Sequence, residues 1–236
     1  MELNFYPANQ RGGADHGWLE ARHSFSFASW FDDNRINFGL LRVLNDDIVA
    51  PGAGFPTHPH DNMEIITIPL AGVLEHKDSM GNVAQLKTGQ IQVMSAGTGV
   101  THSEYNASKV EELKLFQIWI FPNKKNLEPR YEEVNIENGL KDQWQLLVSP
   151  DNRENSAMIN QNAFISIIDM SEGNTASYQL KGQDTGVYVM SIDGEFTISD
   201  QHLQPRDALS LEGTLLFGVF CEKGGRLLVI EVPLGT

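Results

Sequence analysis

One cysteine, few basic residues and no long apolar run set the first limits on this chain of 236 residues. A lone Cys221 can close no disulfide within the chain, so folding needs no oxidising compartment and cytoplasmic residence is the simplest expectation. Cys221 lies in an apolar stretch, where a buried small hydrophobe is expected rather than a reactive thiol. Lys and Arg number 17 against 31 Asp and Glu, and the net charge of -14 is shared, with -6 over residues 1–135 and -8 over 136–236. A short basic pair, Lys124-Lys125, sits beside a turn-like Pro122-Asn123 and reads as a solvated loop. Direct binding to nucleic acid needs clustered cations to neutralise phosphates, so none is expected. The opening Met-Glu-Leu-Asn-Phe-Tyr-Pro lacks the basic and then apolar segments of a secretory signal. No apolar run approaches the roughly 20 residues needed to span a bilayer, so no membrane partner is expected.

Helical periodicity is equally scarce. Hydrophobic residues make up 41% of the chain and charged residues 20%, which is the balance of an ordered globular protein. The apolar segments are short, rich in Val, Ile and Phe, and punctuated by Gly, Asn, Asp and Pro, the pattern of successive strands. Strands are expected over 37–43, 64–70, 72–77, 90–95 and 112–121, then over 145–148, 163–170, 187–192, 196–199, 215–221 and 226–232. Their number and spacing suit barrels or sandwiches. In 113–121 both alternating faces are apolar, Phe116, Ile118 and Ile120 on one and Leu115, Trp119 and Phe121 on the other, which predicts a central strand covered on both sides. The polar, turn-rich stretch that follows, with Glu-Pro-Arg and Glu137-Asn138-Gly139, places a domain boundary between 1–135 and 136–236. A strand-turn-strand unit around Gly72 is echoed around Gly194, about 122 residues later, a hint of a duplicated all-β domain.

Three of the seven histidines fall in two polar constellations. In Thr57-His58-Pro59-His60, the two histidines are two apart, so in extended chain both imidazoles point to one face, and Pro59 favours extended geometry for His58. In Thr101-His102-Ser103-Glu104 the same spacing aligns an imidazole with a carboxylate. If the two strands lie side by side, four N and O donors meet, a set that suits a divalent transition ion. By itself a His-x-His pair fits a hydrogen-bonded pair of strand histidines as well as a metal site.

The run His58-Pro-His60-x3-Glu64, followed after Gly89 by Ser95-Ala-Gly-Thr-Gly-Val-Thr-His102-Ser-Glu104, resembles the metal-binding pattern of pirins, members of the cupin superfamily. The resemblance continues through Arg11-Gly, His16-Gly-Trp18, His23-Ser-Phe-Ser-Phe27, Leu41-Arg-Val-Leu-Asn-Asp-Asp47, Glu75-His-Lys-Asp-Ser-Met-Gly-Asn82 and Leu115-Phe-Gln-Ile-Trp119. It covers most of residues 10–122 and is similar to the bacterial branch described as quercetin 2,3-dioxygenase. It implies an all-β bicupin, two tandem jelly-roll-type barrels, with a metal in the N-terminal barrel held by His58, His60, His102 and Glu104. The implied ion is Fe(II) foremost, with Mn(II), Ni(II), Cu(II), Co(II) or Zn(II) compatible with the same donors. The spacing departs from the general cupin pattern at two places: seven residues separate Glu64 from Gly72, and four separate Gly97 from His102. Both departures are shared with pirins, and they favour Glu104 over Glu64 as the carboxylate ligand. Glu64 is left to orient a ligand by accepting an imidazole N–H.

The C-terminal half carries one histidine, His202, without a His or Glu at ligand spacing, and reads as a barrel without metal. His23 reads as a hydrogen-bonded strand residue, His76 as a tie for the turn Asp78–Asn82, His16 as an exposed loop residue, and Trp18, Trp30 and Trp119 as core. The resemblance implies oxygenolytic ring opening of a flavonol such as quercetin with release of carbon monoxide, dioxygen as co-substrate and Glu104 as the base that takes the hydroxyl proton. A monomer is expected. The alternative is a metal-containing regulatory protein whose partner is another protein; an open cavity reaching the ligands favours the enzyme, a closed site beside an exposed apolar patch the adaptor.

Overall fold

The computed structural model describes residues 1–137 and 139–235, so Asn138 of the expected turn lies outside the described residues. Apart from two short 3-10 turns, Ala8–Gln10 and Arg153–Asn155, the regular elements among the described residues are strands in three sheets. The chain is all-β and forms two barrels. The first has a seven-stranded wall, in the order Arg130–Asn135, Gln90–Ser95, Glu64–Ala71, Leu113–Ile120, Leu41–Val49, Leu19–His23, Gly12–Asp15. Facing it is a four-stranded wall, Gly54–His60, Val100–Asn106, Val73–Asp78, Val83–Lys87. The second barrel is one nine-stranded sheet that includes two long bent strands, Thr185–Ile198 and Leu216–Pro233.

Leu113–Ile120 is the central strand of the seven-stranded wall, and its two faces do different work, because successive side chains point to opposite sides. Phe116, Ile118 and Ile120 join Ile66, Ile68 and Leu44 from the same wall in one core with Ile165, Ile167, Tyr188, Leu228 and Ile230 of the second barrel. Leu113 and Leu115 face the other way, into the first barrel, against Leu74 and Leu86 of the four-stranded wall. Each Ile or Phe buried in the shared core contributes about 1.5–3 kcal/mol, and a continuous apolar contact of this kind holds the barrels as one unit.

The parity that sends Ile66 and Ile68 toward the second barrel sends Glu64 there as well. Its carboxylate accepts hydrogen bonds from Ser95 Oγ at 2.8 Å, from the backbone N–H of Asn160 at 3.1 Å and from Asn160 Nδ2 at 3.3 Å. Glu64 therefore ties the barrels together and does not orient a histidine, contrary to the sequence expectation. Asp46 makes a second tie, accepting from Arg11 at 3.1 Å and from Arg206 of the second half at 2.8 Å.

Three further departures have local causes. Glu2–Tyr6, expected in the N-terminal half, pairs antiparallel with Ala208–Glu212 and adds a strand to the nine-stranded sheet, covering what would be a free edge. The strand expected over 37–43 runs instead over Leu41–Val49, through Asn45-Asp46-Asp47, since polar side chains are accommodated on both faces there. The expected turn at Gly194 is a bulge inside the single strand Thr185–Ile198. Gly72 and Gly194 nevertheless share φ of 80° and a close backbone approach, where an added Cβ would stand 2.6 Å from the carbonyl oxygen of Glu112 or of Lys223. The echo between the halves is thus a shared chain corner that only glycine makes without strain.

Replacing Glu64 by Leu should leave the Ser95 and Asn160 donors unpaired in a buried place and lower the unfolding free energy by about 1–3 kcal/mol, read by urea denaturation. Metal content by elemental analysis should match that of the unaltered chain; loss of metal would instead return Glu64 to the ligand sphere.

Candidate metal centre

Strand pairing assembles the centre. Gly54–His60 runs antiparallel to Val100–Asn106, with His102 directly opposite His58 and Val100 opposite His60. Cross-strand partners and i, i+2 neighbours share a face, so all three imidazoles enter the barrel lumen together. Their ring centroids lie 4.5 Å apart for His58–His102, 4.9 Å for His58–His60 and 5.0 Å for His60–His102. One ring nitrogen from each comes within 4.8 Å of the others.

Glu104 follows His102 by two residues, after a register shift that places it opposite Phe55. It reaches across the lumen to the seven-stranded wall, where its carboxylate accepts hydrogen bonds from Thr67 Oγ1 at 3.2 Å and Gln117 Nε2 at 2.9 Å. Its closest grouping of donor atoms is with His102 and His76, all within 4.8 Å of one another, so it joins the histidine trio through His102. His76 stands opposite Glu104 on the neighbouring strand. Its Nε2 pairs with Asp78 at 3.2 Å, the turn tie expected of it, and its ring stacks on Tyr131 with centroids 4.8 Å apart. Sequence spacing missed its proximity to the cluster because that depends on which strand lies beside Val100–Asn106.

The donors are prepared for a cation. Burial, with the neighbouring imidazoles adding to it, pushes His102 down to about 3 and His60 down to about 4, so both are neutral bases at neutral pH. Burial drives Glu104 the other way, up to about 7, against the lowering effect of the Thr67 and Gln117 hydrogen bonds. His58 Nδ1 sits 2.8 Å from the carbonyl oxygen of Pro56, so an N–H there leaves Nε2 with its lone pair for the cluster. His102 is 1% exposed, and neither of its ring nitrogens has a hydrogen-bond partner. A buried imidazole normally pairs at least one nitrogen, and a divalent ion would satisfy this one. The residues present fit such an ion.

A cavity of about 380 Å³ opens onto the cluster, within the size range of small-molecule sites. Exposed Pro56 and Thr57 border its mouth, and Phe27, Phe55 and Trp119 form aromatic walls. Trp119, expected as core, is a wall residue: it has the parity of Gln117, packs edge-on against Phe27 at 5.4 Å and lies 4.9 Å from His60. Across the lumen floor, strand register aligns His23, Asn45, Gln117, Thr67 and Gln92 in one polar row. His23 donates from Nδ1 to the amide oxygen of Asn45 at 2.8 Å, as its strand reading predicts, and also lines the cavity. One row deeper, Asp47 lies between Ala21 and Leu115; burial, then the charges of Asp46 and Glu104, push its carboxyl up to about 8. Neither Asn45 nor Asp47 was singled out from the sequence, although their spacing of two inside a central strand is the same signal that picked out His58 and His60.

Of the other histidines, His16 is exposed, as expected. His202 is not without acidic partners: sheet pairing brings Glu222 to 3.1 Å and Glu195 to 3.5 Å of its ring. They are 20 and 7 residues away in sequence, beyond the reach of a spacing rule.

Comparison with known proteins gives a consistent result. The pirin family profile matches residues 4–120, and a profile described as the quercetinase C-terminal cupin domain matches residues 146–232. A quercetin 2,3-dioxygenase of Escherichia coli K12 is 38% identical over 226 residues, covering 96% of each chain. A pirin-like protein of Caulobacter vibrioides is 36% identical over 227 residues, covering 95% of this chain and 97% of its own. The crystal structure of the bacterial pirin YhhW from Escherichia coli in complex with nickel(II) superposes with a TM-score of 0.93 at 37% identity, covering 98% of this chain and 99% of that one.

Two measurements probe the centre. Gln117→Leu, which removes a bond that aims the Glu104 carboxylate, should weaken metal affinity about 10–100-fold in a chelator competition. Metal binds the ionised carboxylate, whereas Glu104 keeps its proton up to about pH 7. Affinity should therefore be level above that pH and fall below it by up to about tenfold per pH unit; a flat profile between pH 5 and 8 would contradict this assignment.

Proposed function

The chain belongs to the pirin family of metal cupins, and from that premise we propose that it is a metal-dependent dioxygenase that opens the central ring of a flavonol such as quercetin with dioxygen, releasing carbon monoxide. The observation that carries the reading is the cavity: it reaches three imidazoles and a carboxylate from an open mouth and is walled by aromatic rings. His58, His60 and His102 would hold the ion, with Glu104 as the fourth donor beside His102. Fe(II) is taken as the resident ion among the divalent metals that suit this set. Such an ion supplies Lewis acidity that favours the ionised form of a flavonol hydroxyl and brings both reactants to one place.

The chain's own residues supply the rest. Phe27 and Trp119 present flat apolar surfaces that accept a planar ring system and displace water from around it. Glu104, once its carboxylate loosens from the ion, would take the proton of a flavonol hydroxyl, and burial, which disfavours its charged form, strengthens it as a base for that step. Thr67 and Gln117 fix where its oxygens point, so proton transfer is confined to one direction. The adaptor alternative calls for a closed site, whereas the open cavity supports turnover; the exposed large apolar residues Phe31, Val83 and Val110 are scattered, and Leu215, Leu216 and Phe220 group on the second barrel, away from the cavity lining.

Metal-loaded protein under air should bleach the quercetin absorption band and release carbon monoxide, and His102→Ala should lose the metal and at least about a hundredfold in rate. A metal-replete protein that does neither is not a flavonol dioxygenase.

A further inference from the structure

Asp46 and Asp47 are adjacent in the strand Leu41–Val49 and point to opposite faces. Asp46, on the outer face, is gripped by Arg11 and Arg206. Asp47, on the inner face, is 4% exposed, lines the cavity and has an oxygen, Oδ1, without any hydrogen-bond partner. Its row neighbours Ala21 and Leu115 have no side-chain donor to offer. A buried carboxyl left in this way lowers stability, so a purely structural account leaves it unexplained. No Lys or Arg lines this cavity among the described residues, so the group is not waiting for a salt-bridge partner on its own wall.

Position gives it a use. The row of Asn45 and Gln117 stands against Glu104, and Asp47 lies one row deeper, about 7 Å along the strand at roughly 3.4 Å per residue. A planar ligand whose oxygen sits at the histidine cluster and whose body runs along Phe55 and Ala21, on the side of the Gln117 row opposite Trp119, would carry its far ring toward Asp47. A carboxyl oxygen accepts a hydrogen bond from a phenolic hydroxyl whether or not the acid is ionised.

Resting on the flavonol reading above, the geometry points to Asp47 as a specificity-determining residue: its carboxyl group receives a hydroxyl on the ligand ring remote from the histidine cluster. The site thereby selects polyhydroxylated flavonols over those bearing only the hydroxyl that approaches the cluster. A donor-bearing ligand satisfies the buried oxygen, whereas a ligand lacking that hydroxyl leaves it unpaired, and this asymmetry is what creates discrimination.

The test is titration calorimetry under nitrogen on the full-length nickel(II)-loaded protein, with quercetin and with 3-hydroxyflavone, which carries the 3-hydroxyl alone. The unaltered protein should prefer quercetin by about tenfold or more, Asp47→Ala should lose that preference by weakening quercetin alone, and Asp47→Asn, whose amide oxygen still accepts, should keep part of it. Because no native partner is lost, Asp47→Ala should melt at or above the temperature of the unaltered protein. Equal weakening of both ligands by Asp47→Ala, or an unchanged preference, overturns the inference and leaves the flavonol reading standing. Absence of binding by either ligand to the unaltered protein overturns the flavonol reading and the inference with it.

Discussion

The seven-stranded wall must be covered on both faces, and the rest of the molecule is arranged around that requirement. A sheet whose alternating side chains are apolar in both directions cannot leave either face to water without losing a core's worth of burial. The four-stranded wall covers one face and encloses a lumen; the second barrel covers the other through the core that joins Phe116, Ile118 and Ile120 to Ile165, Ile167 and Leu228. With the wall clamped between two packed layers, the residues that project into the lumen are held on a rigid support. Gln117 and Thr67, which aim Glu104, sit on the same strands as the apolar residues that lock the barrels together.

The two lumens have diverged in what fills them. In the second barrel the interior is closed by Tyr178, Phe196, Val187, Val189, Leu209 and their neighbours, packed into one apolar cluster. The buried carboxylate there, Glu231, is consumed by the Tyr178 and Thr185 hydroxyls and by the backbone N–H groups of Lys181 and Gly182. The first lumen keeps apolar filling at its two ends, around Leu19, Val49 and Leu113 at one and Ile65, Met94 and Val100 at the other, and gives over its middle to polar side chains. Its carboxyls, Glu104 and Asp47, are accompanied by neutral imidazoles and amides and face no lysine or arginine along the cavity lining. In a low-dielectric space that imbalance favours a bound cation over water, which is the electrostatic setting expected of a metal centre.

Desolvation acts in opposite directions on the two kinds of donor and benefits both. It keeps His60 and His102 neutral, as ligands must be, and it moves Glu104 into the range where a carboxyl exchanges its proton near neutral pH. The same burial makes the polar row across the floor of the lumen an orienting device, because His23, Asn45, Thr67 and Gln117 are held by strand register and side-chain hydrogen bonds and have little freedom to turn.

By itself the sequence determined the class of fold, the centrality of Leu113–Ile120 and the histidines of the cluster, because those follow from alternation and i, i+2 spacing, which are local properties of extended chain. Alternation could also have read Glu64, in step with Ile66 and Ile68, and Trp119, in step with Gln117, but only once it is known which face looks inward. That knowledge is tertiary. Whether His76 stands beside Glu104, whether Glu195 and Glu222 flank His202, and whether Glu2–Tyr6 completes the second sheet were decided by strand neighbours far apart along the chain. So was the contrast between Asp46, held by arginines, and Asp47, facing a cavity: the chain sets them on opposite faces, and only the packing of two barrels gives one face a salt bridge and the other a cavity wall.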